Sequence, residues 1–146
     1  MIASRKLFLL PILFSTITLV AQSHPNFSGT WKLNVAKSDS RGVTELIVDV
    51  DHQDPALKYI VRGVANGERF EEKESLTTDG KPSRDSHGVN AKASWDGADL
   101  VILGTADDNS MMYLARLSLS SDGKTITRVF TQHEDPEPRH EIYEKQ

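Results

Sequence analysis

Turn chemistry punctuates this chain at short, even intervals, and that spacing constrains the fold more than any other feature. The pairs Asn66-Gly67, Asp79-Gly80, Asp96-Gly97 and Asp122-Gly123 recur along the chain, joined by Asp54-Pro55 and Asp107-Asp108-Asn109. Asn-Gly and Asp-Gly tolerate positive φ and so favour the tight turns of hairpins. Between the turns lie strand-like runs at residues 26–34, 44–51, 57–64, 68–77, 90–96, 100–105, 110–120, 125–133 and 139–145. No window carries a sustained 3.6-residue apolar period, so no long helix is expected. Residues 35–43 read as a turn or a short helical loop. The pattern predicts an all-β, antiparallel meander, closed as a barrel or folded as a sandwich.

Residues 1–23 have the parts of a cleavable export signal. Arg5 and Lys6 give a positive start, residues 7–20 are largely apolar, and Ala21-Gln22-Ser23 offers small residues at the two positions a signal peptidase reads. The apolar stretch falls short of the roughly 20 residues that cross a bilayer. The expected division is a signal peptide at 1–23 and a single β-barrel domain at 24–146, secreted or periplasmic, with no membrane anchor after cleavage. The chain has no cysteine. Thiol catalysis, thiolate metal sites and disulfides are excluded, so the domain must rest on its core alone. The formal charge is −4, and loss of Arg5 and Lys6 lowers it by two, to −6. A mildly acidic domain repels nucleic-acid backbones, and no nucleic-acid partner is expected.

Alternation indicates which side chains share a face. Phe27, Gly29, Trp31 and Leu33 form one such row; Leu57, Tyr59 and Val61 form another. In the run 68–77, Phe70 and Leu76 share parity with Glu72 and Glu74. Arg128 lies between Ile126 and Phe130, and Ile142 shares a face with His140. Charges on apolar faces are costly in a dry core, by several kcal/mol or more. Either Glu72, Glu74, Arg128 and His140 line a wet interior, or bulges carry them to the rim or the outside.

The segment Phe27-Ser28-Gly29-Thr30-Trp31-Lys32-Leu33-Asn34, followed by Lys37-Ser38-Asp39, resembles the opening of the calycin superfamily, the lipocalins and fatty-acid-binding proteins. It looks most like a group of small secreted bacterial lipocalin-like proteins, in which turns matching Trp95-Asp96-Gly97 and Ser121-Asp122-Gly123-Lys124 also recur. The resemblance implies an up-and-down antiparallel β-barrel of about 8–10 strands. It implies that Gly29 and Trp31 plug one end, with a late arginine packed across the indole: Arg128 first, Arg139 second. The chain also departs from the fatty-acid-binding pattern. Residues 34–43 are too few for a two-helix lid. In Glu141-Ile142-Tyr143, Glu141 stands where an arginine would hold a fatty-acid carboxylate.

Candidate chemistry is sparse. His24, His52, His87, His133 and His140 are scattered and match no metal-ligand spacing, so no metal and no cofactor is expected. Glu72 and Glu74 lie about 7 Å apart along one strand face, with no nucleophile motif to accompany them. No enzyme activity is expected. Tyr59, Phe70, Glu72, Glu74, Trp95, Met112 (or its neighbour Tyr113) and Phe130 are candidates to line a pocket. The expected function is a secreted lipocalin-like protein binding a small apolar molecule; the alternative is a ligand-free protein–protein interaction or structural module of the cell envelope.

Overall fold

The structure, a computed structural model, describes residues 23–146; the expected signal peptide lies outside the described residues apart from Ser23. Ten strands follow one another: β1 (Gly29–Leu33), β2 (Val43–Gln53), β3 (Ala56–Ala65), β4 (Glu68–Thr77), β5 (Ser83–Arg84), β6 (Asn90–Asp96), β7 (Asp99–Thr105), β8 (Met111–Leu119), β9 (Thr125–Gln132) and β10 (Arg139–Lys145). They form one antiparallel sheet in the order β4-β3-β2-β1-β10-β9-β8-β7-β6-β5. Apart from β4 and β5, each strand pairs with its sequence neighbour, and β1 also pairs with β10, which brings the first and last strands together. The result is a nearly closed up-and-down barrel, as the turn spacing and the resemblance led one to expect.

One seam remains, where β4 meets β5 and β6 without a strand ladder. Single contacts span it. The Gly80 amide donates to the Ala93 carbonyl at 2.8 Å, and the Ser83 hydroxyl donates to the Ser75 carbonyl at 3.2 Å. The two-residue β5 has no counterpart among the runs seen in the sequence, because two residues are too few to show alternation. Residues Val35–Lys37 form one 3₁₀ turn, with the Asn34 side chain accepting from the Lys37 amide at 3.1 Å. The Asn66-Gly67 turn has φ of 51° and 83°, the double positive φ of a type I′ hairpin.

Cross-strand register defines a single inward-facing row set. Trp31 opposes Val48, Val48 opposes Val61, and Val61 opposes Glu72. One end of the barrel is densely packed: Phe27, Trp31, Leu57, Leu76, Ala93 and Leu100 are each at most 4 % exposed. Burying a side chain the size of Leu100 stabilises the fold by roughly 1.5–3 kcal/mol.

The Gly29-x-Trp31 unit closes this end. Gly29 has φ of 137°, and a Cβ there would lie 2.8 Å from Lys145 Cε. The Trp31 indole N–H donates to the Phe27 carbonyl at 2.8 Å. The cation over the indole is Lys145, whose Nζ sits 5.4 Å from the ring centroid. The expected Arg128 lies instead over Phe130, 4.0 Å from that ring, and Arg139 also lies over Phe130, at 4.8 Å. Register explains the difference: Lys145 is the direct partner of Trp31 on β10, whereas Arg128 on β9 is paired with Glu141.

Candidate functional site

Above the packed base, inward-facing residues keep part of their surface accessible. Val48, Val50, Tyr59, Val61, Phe70 and Tyr113 are all only half-buried although they point into the barrel. Partial exposure on an inner face leaves these side chains within reach of solvent.

Its floor is a polar cluster. Arg128 donates to Glu141 Oε2 at 2.6 Å, and the Tyr143 hydroxyl donates to the same oxygen at 2.8 Å. The Glu141 side chain is 9 % exposed and that of Arg128 is 26 %. Register on β10 puts Glu141 and Tyr143 inward, so Ile142 and His140 face out. The inner face of β10 is therefore the polar row, not the Ile142 row. Burial opposes the Arg128 charge, but the facing Glu141 carboxylate and the surrounding acceptors outweigh it and hold its pKa above the ordinary value. Burial pushes the Tyr143 phenol up as well, so it stays a neutral donor.

Tyr59 stands between this cluster and β4. It is the cross-strand partner of Glu74. Burial raises its phenol, and the Glu74 charge adds to the shift. Among the described residues its hydroxyl makes no hydrogen bond to the protein, yet it is not sealed off; the buried side-chain atom without a partner is His52 Nε2, at the closed end. An interior phenol without a protein partner must find one in solvent or in a bound molecule.

Glu72 and Glu74 face inward at the seam, resolving their open placement. The loop after β5 folds over them. The Ser86 amide donates to both Glu74 oxygens at 3.0 and 3.2 Å, and the Ser86 hydroxyl donates to Oε1. His87 Nε2 lies 3.1 Å from Glu72 Oε1. Asp85 accepts the amides of His87 and Val89 at 2.9 and 2.8 Å and the Tyr113 hydroxyl at 2.9 Å. Burial and that bond to Asp85 push the Tyr113 phenol up. Asp85, Ser86 and Tyr143 were not singled out by sequence reasoning. A loop serine and aspartate carry no local signal of the strand they will meet.

The seven expected pocket residues do not form one group. Phe70 and Phe130 lie at the open end with Glu72; Tyr59 and Glu74 lie at mid-height. Trp95 is at the closed end, stacked on His24 with centroids 4.3 Å apart and packed against Phe27 and His52. Met112 falls on the opposite face from Tyr113, which shares the inward parity of Ala115 and Leu117 and packs over Gly104; the ladder is regular up to that pair, and the bulge follows it, between Gly104 and Thr105. Tyr113 also lies 6.0 Å from Phe130, so it, not Met112, belongs to the lining.

A separate groove of about 640 Å³ runs along the outer wall of β1–β4. Its ridges are the outward rows Thr30, Asp49, Ile60, Lys73 and Asp51, Lys58, Ser75, and its bottom is the backbone of the inward row between them. Among the described residues no group of three or more His, Asp or Glu side chains is arranged to hold a metal ion, and no helix is long and apolar enough to cross a membrane.

These features define an antiparallel β-barrel protein with a packed base and a polar cluster on its inner face. No protein-family profile and no curated protein matches the sequence. Among solved structures, the crystal structure of secretory abundant heat soluble protein 4 from Ramazzottius varieornatus is similar, with a TM-score of 0.57, 15 % identity, and coverage of 86 % of this chain and 99 % of that one. At this identity the likeness concerns the fold.

Proposed function

We propose that this is a secreted, non-enzymatic, lipocalin-like binder that holds one small, mainly apolar molecule in the upper half of its barrel. The observation that carries this reading is Tyr59: an inward phenol that makes no hydrogen bond to the described protein, beside the half-buried rings of Phe70 and Tyr113. Apolar walls with a few convergent polar groups are the usual composition of a small-molecule site. Export is supported by the signal-like segment at 1–23 and by the likeness to a secretory abundant heat soluble protein. The test is native mass spectrometry of the chain purified from its own host. A retained small molecule, released when Tyr59 is replaced by Ala, is the expected result. A mass equal to the bare chain under gentle conditions would count against the reading.

A second reading, a ligand-free interaction module, is favoured by the groove on the outer wall of β1–β4, which is open to a partner. Sizing at low micromolar concentration separates the two. A dimer or partner complex lost on Ile60→Asp would support the module; a monomer would not.

A further inference from the structure

His52 lies near the end of β2, at the closed base of the barrel, and is 2 % exposed. It holds the segment that precedes β1 in two ways. Its backbone is bridged by the Ser28 hydroxyl, which donates to the His52 carbonyl at 3.0 Å and accepts the His52 amide at 2.9 Å. Its ring accepts the Phe27 amide through Nδ1 at 3.2 Å. A backbone amide can only donate, so Nδ1 carries no proton and the neutral ring bears its hydrogen on Nε2. That Nε2 is sealed from solvent and has no hydrogen-bond partner, while a carboxylate oxygen of Asp54 stands 3.7 Å away. Phe27, seated in this way, is itself 2 % exposed, and its carbonyl takes the Trp31 indole N–H. One buried imidazole therefore faces a donor on one side and an anion on the other.

We propose that His52 is an acid-operated latch: as a neutral ring it holds residues 24–28 against the barrel base, and on taking up a proton it releases Phe27 and turns to Asp54. Protonation places a hydrogen on Nδ1. Two donors then face each other where a bond had been, and the Phe27 amide is left buried without an acceptor. The same proton creates an attraction on the other side of the ring. Asp54 stays ionised throughout the range in which histidines titrate, because the Thr78 hydroxyl, partly opposed by desolvation and aided by His24 and Trp95, holds its carboxyl at about 2. An imidazolium that closes the 3.7 Å gap to Asp54 Oδ1 gains a charged partner for Nε2 and draws Nδ1 off Phe27. His24 does not take that place, since it meets the other oxygen, Oδ2, at 3.2 Å. The remaining neighbours do not titrate: Leu57 stands opposite on β3, Thr78 follows β4, and the Trp95 ring of β6 lies 5.8 Å from the His52 ring. Asp51 and Lys58 are close in the ladder but on the outer face. Seating of the segment is thus complete where His52 is neutral and falls as pH falls. The latch lies in the packed base and operates without a bound molecule.

NMR reads both halves of the latch in the unaltered protein, so no variant has to fold for the central test. Imidazole nitrogen shifts follow the His52 ring from about pH 8 to about pH 5, on either side of the ordinary histidine value of about 6.5. The protection factor of the Phe27 amide, from which the intrinsic pH dependence of exchange is removed, follows the seat. At the upper end His52 should carry its hydrogen on Nε2. As the ring titrates, Phe27 protection should drop about tenfold or more in step with it, while amides of the β2–β3 ladder keep theirs. His52→Asn offers an acceptor near the place of Nδ1 that takes up no proton, so Phe27 should stay protected and the step should vanish. Asp54→Asn should shrink the step or move it to lower pH, and His24→Ala should leave it in place. Phe27 protection that stays level while His52 titrates, or a His52 ring that stays neutral down to about pH 5, overturns the latch. So does a ring that carries its hydrogen on Nδ1 when neutral. A step of the same size in His52→Asn assigns it to another group and overturns the role given to His52.

Discussion

Arg128 and Glu141 meet at 2.6 Å inside the barrel, with Tyr143 closing on the same carboxylate oxygen. The pair is cross-strand neighbours on β9 and β10, so strand register alone brings it together. Removing one charge leaves the other in a poorly solvated interior. Glu141→Gln is expected to lower stability by about 2–4 kcal/mol in urea unfolding, somewhat softened because Arg128 keeps partial contact with solvent. Replacing both residues with Met should cost less than the sum of the two single changes. Additive losses would show that the pair does not act as a unit.

Trp31 and its cation give a second, contrasting prediction. Trp31 is 1 % exposed and seals the packed base, so Trp31→Ala should cost about 3–5 kcal/mol. Lys145→Ala removes only an exposed cation over the indole and should cost about 0.5–1 kcal/mol. Arg128→Met should leave the emission of Trp31 unchanged, since that arginine lies over Phe130. A loss below 1 kcal/mol for Trp31→Ala would dispose of the plug.

The fold was legible because strand alternation and turn residues are local signals. Asn66-Gly67 and Asp96-Gly97 predict their own hairpins, and the inward parity of Trp31, Tyr59 and Phe130 follows from period two. What sequence could not supply was the partner across the sheet. Arg128 looks like a cap for Trp31 until register places Glu141 beside it and Lys145 over the indole. The same holds for Glu72 and Glu74, whose parity was evident but whose contacts come from Ser86 and His87, a dozen or more residues away on a loop. Met112 and Tyr113 separate by parity once Ala115 is known to face inward, and that face is fixed by the ladders with β7 and β9 rather than by a local signal.

Gly104 offers a test of the place given to Tyr113. Its backbone is ordinary, so any substitution effect is steric. A Cβ at Gly104 would lie 2.3 Å from the nearest carbon of the Tyr113 ring, far inside contact distance. Gly104→Ala should therefore displace the ring, strain its bond to Asp85, and cost about 1–3 kcal/mol. Shrinking the obstacle should help. In a Tyr113→Leu background the same Gly104→Ala change should cost clearly less, read as a double-mutant cycle by thermal unfolding. Equal costs in both backgrounds would mean that Tyr113 does not cover Gly104.

At the closed end, Asp54 adds to the acid sensitivity of the fold. It sits in the turn between β2 and β3 and accepts the Thr78 hydroxyl, His24 Nδ1 at 3.2 Å and the Trp95 indole N–H at 3.3 Å. The Thr78 bond is the largest cause, partly opposed by desolvation, and His24 and Trp95 add to it; together they hold the carboxyl at about 2, below its ordinary 3.8. A depressed folded-state pKa contributes stability that is fully present above the unfolded value. That contribution fades as pH falls from about 4 toward about 2, where the folded form itself takes up the proton. The stability gap between the unaltered chain and Asp54→Asn should thus stay level above about pH 5 and narrow across that window in urea titrations. Thr78→Val removes the leading hydrogen bond and should move the Asp54 carboxyl back toward its ordinary range, as followed by NMR. Because Asp54 is also half-exposed, the effect should be modest in energy but clear in position. An Asp54 carboxyl that titrates near 3.8 in the unaltered chain would show that the hydrogen-bond hub at the barrel base does not persist in solution.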